Sequence, residues 1–526
     1  MRASYDAVVV GSGFGGGIAA CRLAEAGWRV AVLERGRRFE PEDYPDRPEQ
    51  APQLLWHHSA NPHGLLDLRL MKDLAVLTAA GVGGGSLVYA NVQLRAPANV
   101  FGPPWPADIT RDALDPYYDR TEDALEPRVV PDEPEKLPRV RAFEAAARRV
   151  GRDPLRLPLA VHFGEKRRHP FSDVEQEGCD NLARCDLGCP LRAKNTVDIT
   201  YIARAESHGA EVFALREVLS LRPPARAGDR WRLGFRGLDG GEDGSVEAPV
   251  VILATGSPGT PRLLLKNRRR VRGLSGALGS RFSGNGDALG MAFQPRASDV
   301  AGARVGYGPV MTGALDYTEE RRLVMADGGL PDNFSGLLEI ARGASVITGW
   351  RRWLLRAKAA GALIGLSDRS VTPRAGAGRV APRGPITDSL VFLMFGRDAA
   401  SGRMRLTPLF RCLDIRWRKE DSRELFDAMR RTAEEVGKAA EAESFFALDA
   451  GPLGKFMTVH PLGGAPMSDD PEAGVVDQHG KVHGQEGLYV LDGSIVPTAL
   501  GVNPSKTIAA LAERGIEHLI AERSPP

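Results

Sequence analysis

"YDAVVVGSGFGGGIAACRLAEAGWRVAVLERG", Tyr5 to Gly36, decides the fold. An apolar run (Ala7 to Val10) leads into a glycine turn, an amphipathic helix pattern (Ile18 to Ala26) and a second apolar run (Val30 to Leu33) that ends at Glu34. Two short apolar runs flanking a helix describe a βαβ unit of a parallel sheet covered on both faces. Gly11, Gly13 and Gly16 hold the G-x-G-x-x-G spacing. The first permits the tight turn, the second lets backbone N–H groups approach a pyrophosphate, and the third lets helix and strand pack closely. Glu34 stands where an acid accepts hydrogen bonds from a ribose. In this context the spacing predicts dinucleotide binding, and the acid at the second strand end suits FAD.

Three later segments read as parts of the same nucleotide site. "AAGVGGGSLVYAN" (Ala79 to Asn91) brings Gly83, Gly84 and Gly85 together with Ser86, so that backbone can lie against something flat or charged. "VILATGSPGTPRLLL" (Val251 to Leu265) is a buried-type strand, a turn and a helix start, as expected where a sheet returns to the nucleotide. "GLYVLDGS" (Gly487 to Ser494) delivers Asp492 and Gly493, and is followed by "GVNPSKTIAALAERGIEHLI". Pro504 suits the first turn of that helix and Asn503 its N-cap, and the positive helix end would stabilise negative charge on a bound ring.

Composition narrows the function classes. A chain of 526 residues has room for roughly three to four domain-sized units, or for one large α/β body with interleaved lobes. With 69 basic against 67 acidic residues the net charge of +2 gives no field that favours nucleic acid. No apolar run reaches the roughly 18 residues of a membrane span, and "MRASYDAVVV" goes straight into a strand pattern. The expectation is a soluble cytoplasmic protein. Five cysteines, with Cys21 and Cys412 isolated, do not form a secreted disulfide framework.

Taken in order, "GSGFGG", "GVGGGSLVYAN", "GCPLRAKNT", "ATGSPGTPRLLL", "NGD" (Asn285 to Asp287), "HPLGG" (His460 to Gly464) and "DGSIVPTALGVNPSKTIAALAER" resemble the glucose-methanol-choline (GMC) oxidoreductases, and within them the cholesterol oxidase-like branch. One departure is Arg268–Arg269, where the family signature continues with Ser-Gly. The resemblance implies an α/β fold in which a Rossmann-like FAD-binding lobe (1–40, 76–100, 190–295 and 455–526) is interleaved with an α+β substrate lobe (41–75, 101–189 and 296–454) built on a mainly antiparallel sheet. The alternating strings "SLVFLMFG" (Ser389 to Gly396) and "RMRLTP" (Arg403 to Pro408) suit strands of that lobe.

The same resemblance implies a chemistry. Oxidising an alcohol requires removal of a hydroxyl proton and hydride transfer to flavin, and a histidine manages the proton near neutral pH. His460 matches the family's first active-site position and Asn503 the second; an amide can hydrogen-bond substrate or flavin but cannot act as a base. "GLLEIARG" is similar to a sterol-oxidase segment and brings in Glu339 as a candidate proton carrier for double-bond isomerisation. No histidine lies in the second glycine run, where some relatives attach the cofactor, so FAD is expected to be non-covalent. The substrate class expected is a small hydrophobic secondary alcohol, with 3β-hydroxysterols leading, and oxygen or an external acceptor taking the electrons. The rivals are a dehydrogenase for another alcohol or a sugar, and a flavoprotein redox partner that turns over no alcohol.

"CDNLARCDLGCP" (Cys179 to Pro190) spaces Cys179, Cys185 and Cys189 as C-x5-C-x3-C-P. This is the bacterial ferredoxin run with Leu182 in place of its second cysteine, and three thiolates can hold a three-iron cluster. The spacing also resembles that of iron–sulfur glucose dehydrogenases within the GMC family. The other reading is a loop of reduced thiols beside FAD acting as small hydrophobes. "KNRRRVRG" (Lys266 to Gly273) reads as a solvated basic turn, and "GWRRWLLRAKAAGALIGL" (Gly349 to Leu366) as an amphipathic lid or a peripheral membrane contact.

Overall fold

A computed structural model describes residues 1–47, 50, 53–132, 137–226, 228–332, 387–448 and 456–523. Glu339, Gly349–Leu366 and the surrounding stretch lie outside the described residues.

Strand β1 (Ala7–Val10), helix α1 (Phe14–Glu25) and strand β2 (Val30–Leu33) form the βαβ unit. β1 sits at the centre of a five-stranded sheet in which Leu488–Val490, Val250–Leu253, β1, β2 and Glu211–Phe213 pair in that order, all parallel. The continuous apolar runs follow from burial on both faces. Val8, Val10, Leu33, Val251 and Leu253 point into one core, while Ala7, Val9, Val32 and Ile252 point into another with α1 and the C-terminal helix Ser505–Glu522. Alternation is present, but both phases are apolar.

Helix α1 departs from its predicted pattern. It starts at Phe14, four residues earlier than the periodicity suggests, and Gly15, Gly16 and Gly17 are inside it. It is covered nearly all round, because the C-terminal helix packs on the side turned away from the sheet. Glycine is required here by close approach: a Cβ on Gly16 would stand 2.0 Å from the Gly11 carbonyl oxygen, and one on Gly15 only 1.5 Å from that of Leu491.

A second, antiparallel sheet of six strands carries Ala442–Leu448, Ala288–Pro295, Leu390–Gly396, Leu323–Gly328, Gly313–Tyr317 and Leu155–Arg156 in that order. Its core includes Phe392 and Met394 and is covered by the helix Arg423–Ala439 through Phe426, Met429, Ala433 and Val436. "SLVFLMFG" therefore supplies a strand of this sheet. "RMRLTP" instead supplies Arg403–Leu406, which among the described residues forms a separate two-stranded hairpin with Leu413–Arg416.

Candidate active site

The two sheets face each other across a cavity of about 680 Å³. Val10, Leu33, Ala254 and Asp492 line it from the carboxyl ends of the parallel strands, where open α/β sheets bind ligands. Leu289, Leu393 and Phe395 line it from the antiparallel sheet.

On the parallel side the predicted nucleotide residues are brought together. Gly11 (φ +96°) makes the turn after β1, and Gly13 caps α1 with no side-chain hydrogen bond, leaving the first helical N–H groups directed at the cavity. Glu34 accepts from the Ser12 N–H (3.1 Å), the Ser12 hydroxyl (2.8 Å) and the Gly36 N–H (2.9 Å), which fixes the glycine turn to the end of β2. Gly84 packs on Gly13, where a Cβ would stand 2.6 Å from the Gly13 Cα, and a Cβ on Gly85 would meet nothing within 4 Å. Gly83 (φ +109°) precedes them, and Ser86 spends its hydroxyl within the run, donating to the Gly83 carbonyl (2.7 Å) and accepting from the Val197 N–H (2.8 Å).

Asp492 is saturated by protein donors: the Gly256 N–H (2.8 Å) and Thr260 hydroxyl (2.6 Å) on one oxygen, and Ser494 on the other. It ties the last parallel strand to the Thr255–Thr260 turn and presents Gly493 to the cavity. Asn91, between two cavity-lining residues, is fully buried with both amide atoms unpartnered. Uncapped helix N–H groups and glycine backbone along one channel are what a dinucleotide with a flat polar ring system requires, and the orphaned Asn91 amide lies just behind that wall.

The opposite end of the cavity is built by one turn, Asn285–Gly286–Asp287. Asp287 Oδ1 accepts from His460 Nδ1 (2.8 Å), while Oδ2 accepts from the Val459 N–H (2.8 Å), the His460 N–H (3.1 Å) and the Thr458 hydroxyl (2.9 Å). With Nδ1 committed as donor, the imidazole keeps its Nε2 lone pair, and Nε2 has no hydrogen bond among the described residues. Phe395 packs edge-to-face with the ring at 5.1 Å between centroids. Asn285, wholly buried, accepts from the Leu500 N–H (3.0 Å) and Gly501 N–H (3.0 Å) and donates to the Val502 carbonyl (2.9 Å). The turn thus holds His460 with one residue and the approach to Asn503 with another.

Asn503 does not cap the C-terminal helix. Pro504 occupies the N-cap position before Ser505 and no side chain caps this end. Asn503 lines the same cavity as His460, is 6% exposed, and its amide has no hydrogen bond among the described residues. Pro504 and Ser505 line the cavity with it, so a second uncapped helix N-terminus faces the ligand space.

Asp186 is a cavity residue that the motif reading missed. It lines the wall near His460, and burial pushes its carboxyl up to about 6, opposed by the positive charges of Lys194 and His460. Lys194, 2% exposed, donates to the carbonyls of Leu87 (2.8 Å) and Cys185 (2.7 Å), and burial lowers its affinity for the proton.

Those bonds explain the cysteine run. Its short turn, Cys185–Leu187, is tied to the Lys194 ammonium through the Cys185 carbonyl, and burial raises the thiols of Cys179 and Cys185. Leu182, at the ferredoxin position of a further ligand, is 45% exposed and bridges to Gly308. Among the described residues no three His, Cys, Asp or Glu side chains converge as a metal-binding group, Cys179, Cys185 and Cys189 included. The iron–sulfur expectation therefore finds no support in the described residues: the spacing resembles that of a cluster, and the side chains do not form a metal-binding group.

The rest of the wall is apolar, with Val92, Leu187, Met311, Leu330, Met457 and Val459 alongside Leu289, Leu393 and Phe395. No helix among the described residues is long and apolar enough to cross a membrane.

Comparison with known proteins agrees with this geometry. The family model described as GMC oxidoreductase matches in two parts, over residues 5–267 and 400–512. The chain is 30% identical to a cholesterol oxidase of Mycobacterium tuberculosis (strain CDC 1551 / Oshkosh), covering 98% of this chain and 91% of that protein. It is 27% identical to a long-chain-alcohol oxidase of Arabidopsis thaliana, covering 97% of this chain and 66% of the relative. Among solved structures, pyridoxine 4-oxidase from Mesorbium loti shares the fold with a TM-score of 0.63 at 16% identity, over 98% of this chain and 99% of that one.

Proposed function

From its place in the GMC oxidoreductase family, to which this chain belongs, we propose that it oxidises a hydrophobic secondary alcohol of the 3β-hydroxysterol type to the ketone. The family is one of FAD-dependent oxidoreductases acting on CH–OH donors, and bound FAD supplies the two-electron acceptor for the hydride. The residues that would hold it are the Gly11–Gly15 turn, Glu34, the Gly83–Gly85 run, Asn91, Gly493 and the Asn503–Ser505 helix start. Both uncapped helix ends favour the negative charge that such a cofactor carries.

The observation that carries the reading is the clamp on His460. Asp287 fixes the ring with Nε2 free, in a cavity that Asn503 also lines and whose remaining wall is largely apolar. In this reading the substrate hydroxyl lies between the two. His460 Nε2 accepts its proton as the hydride leaves the carbinol carbon, and Asn503 orients the oxygen by donating to it. Asp287 steadies the imidazolium that results. The two electrons pass on to oxygen or to an external acceptor.

The sterol preference draws on the apolar lining together with the cholesterol oxidase relatives, one at 30% and another, from Acinetobacter baumannii, at 28% identity. Anaerobic bleaching of the flavin tests it. A 3β-hydroxysterol in detergent should bleach the protein faster than a long-chain primary alcohol or a sugar. Faster bleaching by the primary alcohol would replace the sterol with a fatty alcohol, and bleaching by the sugar alone would remove the hydrophobic substrate altogether.

A further inference from the structure

The hairpin Arg403–Leu406/Leu413–Arg416 ends in a turn that exposes the two most solvent-accessible large apolar side chains among the described residues, Leu409 at 80% and Phe410 at 79%. The hairpin itself is anchored, since Met404, Leu413 and Ile415 are buried in the second core. Its outward side chains are Arg403, Arg405 and Arg416, with Asp414 the acid among them, paired to Arg405 at 3.3 Å. Arg411 reaches across from the turn and donates to the Lys266 carbonyl at 3.3 Å. That bond joins the hairpin to the end of the helix Gly259–Asn267, where Arg268, Arg269 and Arg270 are all exposed. The basic turn read from the sequence as merely solvated is therefore one side of a composite surface, with the Leu409–Phe410 tip on the other.

We propose that this surface docks on an anionic lipid membrane, with Leu409 and Phe410 entering the boundary between headgroups and acyl chains and the surrounding arginines contacting lipid phosphates. A protein partner would need a concave site to bury so narrow a convex tip, whereas a bilayer needs only an apolar point and a cationic collar. With a net charge of only +2 the chain as a whole is not drawn to an anionic surface, so attraction rests on a local basic patch such as this one. Each arginine near an anionic surface strengthens partitioning roughly fivefold, and the apolar tip adds salt-resistant binding.

The test is sedimentation of the full flavin-loaded protein with vesicles of phosphatidylcholine, alone or mixed with phosphatidylglycerol. It is read without turnover, so it stands apart from the substrate proposal. The expected result is binding to the mixed vesicles that weakens with salt, and at least about tenfold weaker partitioning for the double variant Leu409→Ser, Phe410→Ser. A second double variant, Arg268→Glu with Arg269→Glu, should lose the preference for phosphatidylglycerol. Both pairs are exposed, and unchanged flavin content checks that each variant is folded. Wild-type protein that ignores both vesicles, or a tip variant that binds as wild type does, overturns the proposal. So does a tip variant that converts a dimer in solution to a monomer, which would make the tip a contact between copies of the chain.

Discussion

Asp287 holds His460 twice, by the ring and by the backbone: one carboxylate oxygen accepts from Nδ1 at 2.8 Å and the other from the histidine's own N–H at 3.1 Å. A ring held this way has neither rotational freedom nor a choice of tautomer, and the nitrogen left over faces the cavity. The two residues are 173 positions apart, so the pair exists only because the antiparallel sheet and the strand Phe456–Thr458 meet there.

The proton-transfer role predicts a hierarchy of variants. His460→Ala should slow anaerobic flavin reduction by alcohol roughly 10²- to 10⁴-fold without loss of flavin. Asp287→Asn should slow it by at least about tenfold, because the amide turns a donor towards one of the N–H groups that the carboxylate accepts. Stopped-flow bleaching at saturating substrate separates the two, and a His460→Ala protein that bleaches at the wild-type rate would remove this histidine from the chemistry.

Asn285 should be needed for the site without touching the reaction. Its amide serves the Leu500 and Gly501 N–H groups and the Val502 carbonyl, all buried and within three residues of Asn503. Asn285→Ala leaves those groups unsatisfied, at a cost of about 2–4 kcal/mol. Chemical denaturation should report that loss, together with a fall in turnover; unchanged stability would mean that the 500–503 segment is held by other contacts.

What was legible in the sequence was local. The β1–α1–β2 unit shows because period, glycine spacing and the terminal acid all lie within 30 consecutive residues. The start of α1 was misjudged because Gly15 looks like turn material, and its reason for being glycine is the Leu491 carbonyl, far along the chain. "NGD" was recognisable as a motif, yet its two tasks were not, since each partner lies more than 170 residues away. Asp186 was overlooked for another reason: flanked by thiols, it drew the reading to sulfur chemistry, and only the folded cavity shows its carboxyl beside His460.

Asp186 predicts a pH signature in stability. Its folded value of about 6 lies above the ordinary 3.8, so the folded state favours the neutral acid. The stabilising contribution of that proton is complete below pH 3.8 and is lost as pH rises through about 6. Asp186→Asn, which stays neutral, should therefore match wild type in acid and exceed it by on the order of 1–3 kcal/mol at neutral pH. Denaturant titrations across that interval measure the gap, and a gap that does not grow with pH would show that the buried acid carries no such penalty.

The cysteine run gives a prediction that separates the two readings the sequence leaves open. Ferredoxin-like spacing places Cys179, Cys185 and Cys189 in the right order for iron, but a cluster also needs three sulfurs converging as thiolates. Here the buried Lys194 ammonium donates to the Cys185 carbonyl, burial pushes the Cys179 and Cys185 thiols up, and among the described residues the three cysteines do not form a metal-binding group. Protein prepared anaerobically with iron and sulfide supplied should thus show a flavin absorption spectrum, no signal of an oxidised three-iron cluster at low temperature, and negligible iron per flavin. Cys185→Ser should leave that spectrum unchanged and alter stability only. About three irons per flavin, lost on the same substitution, would show that the run rearranges around metal and would turn the electron path from direct reaction with oxygen towards an external carrier.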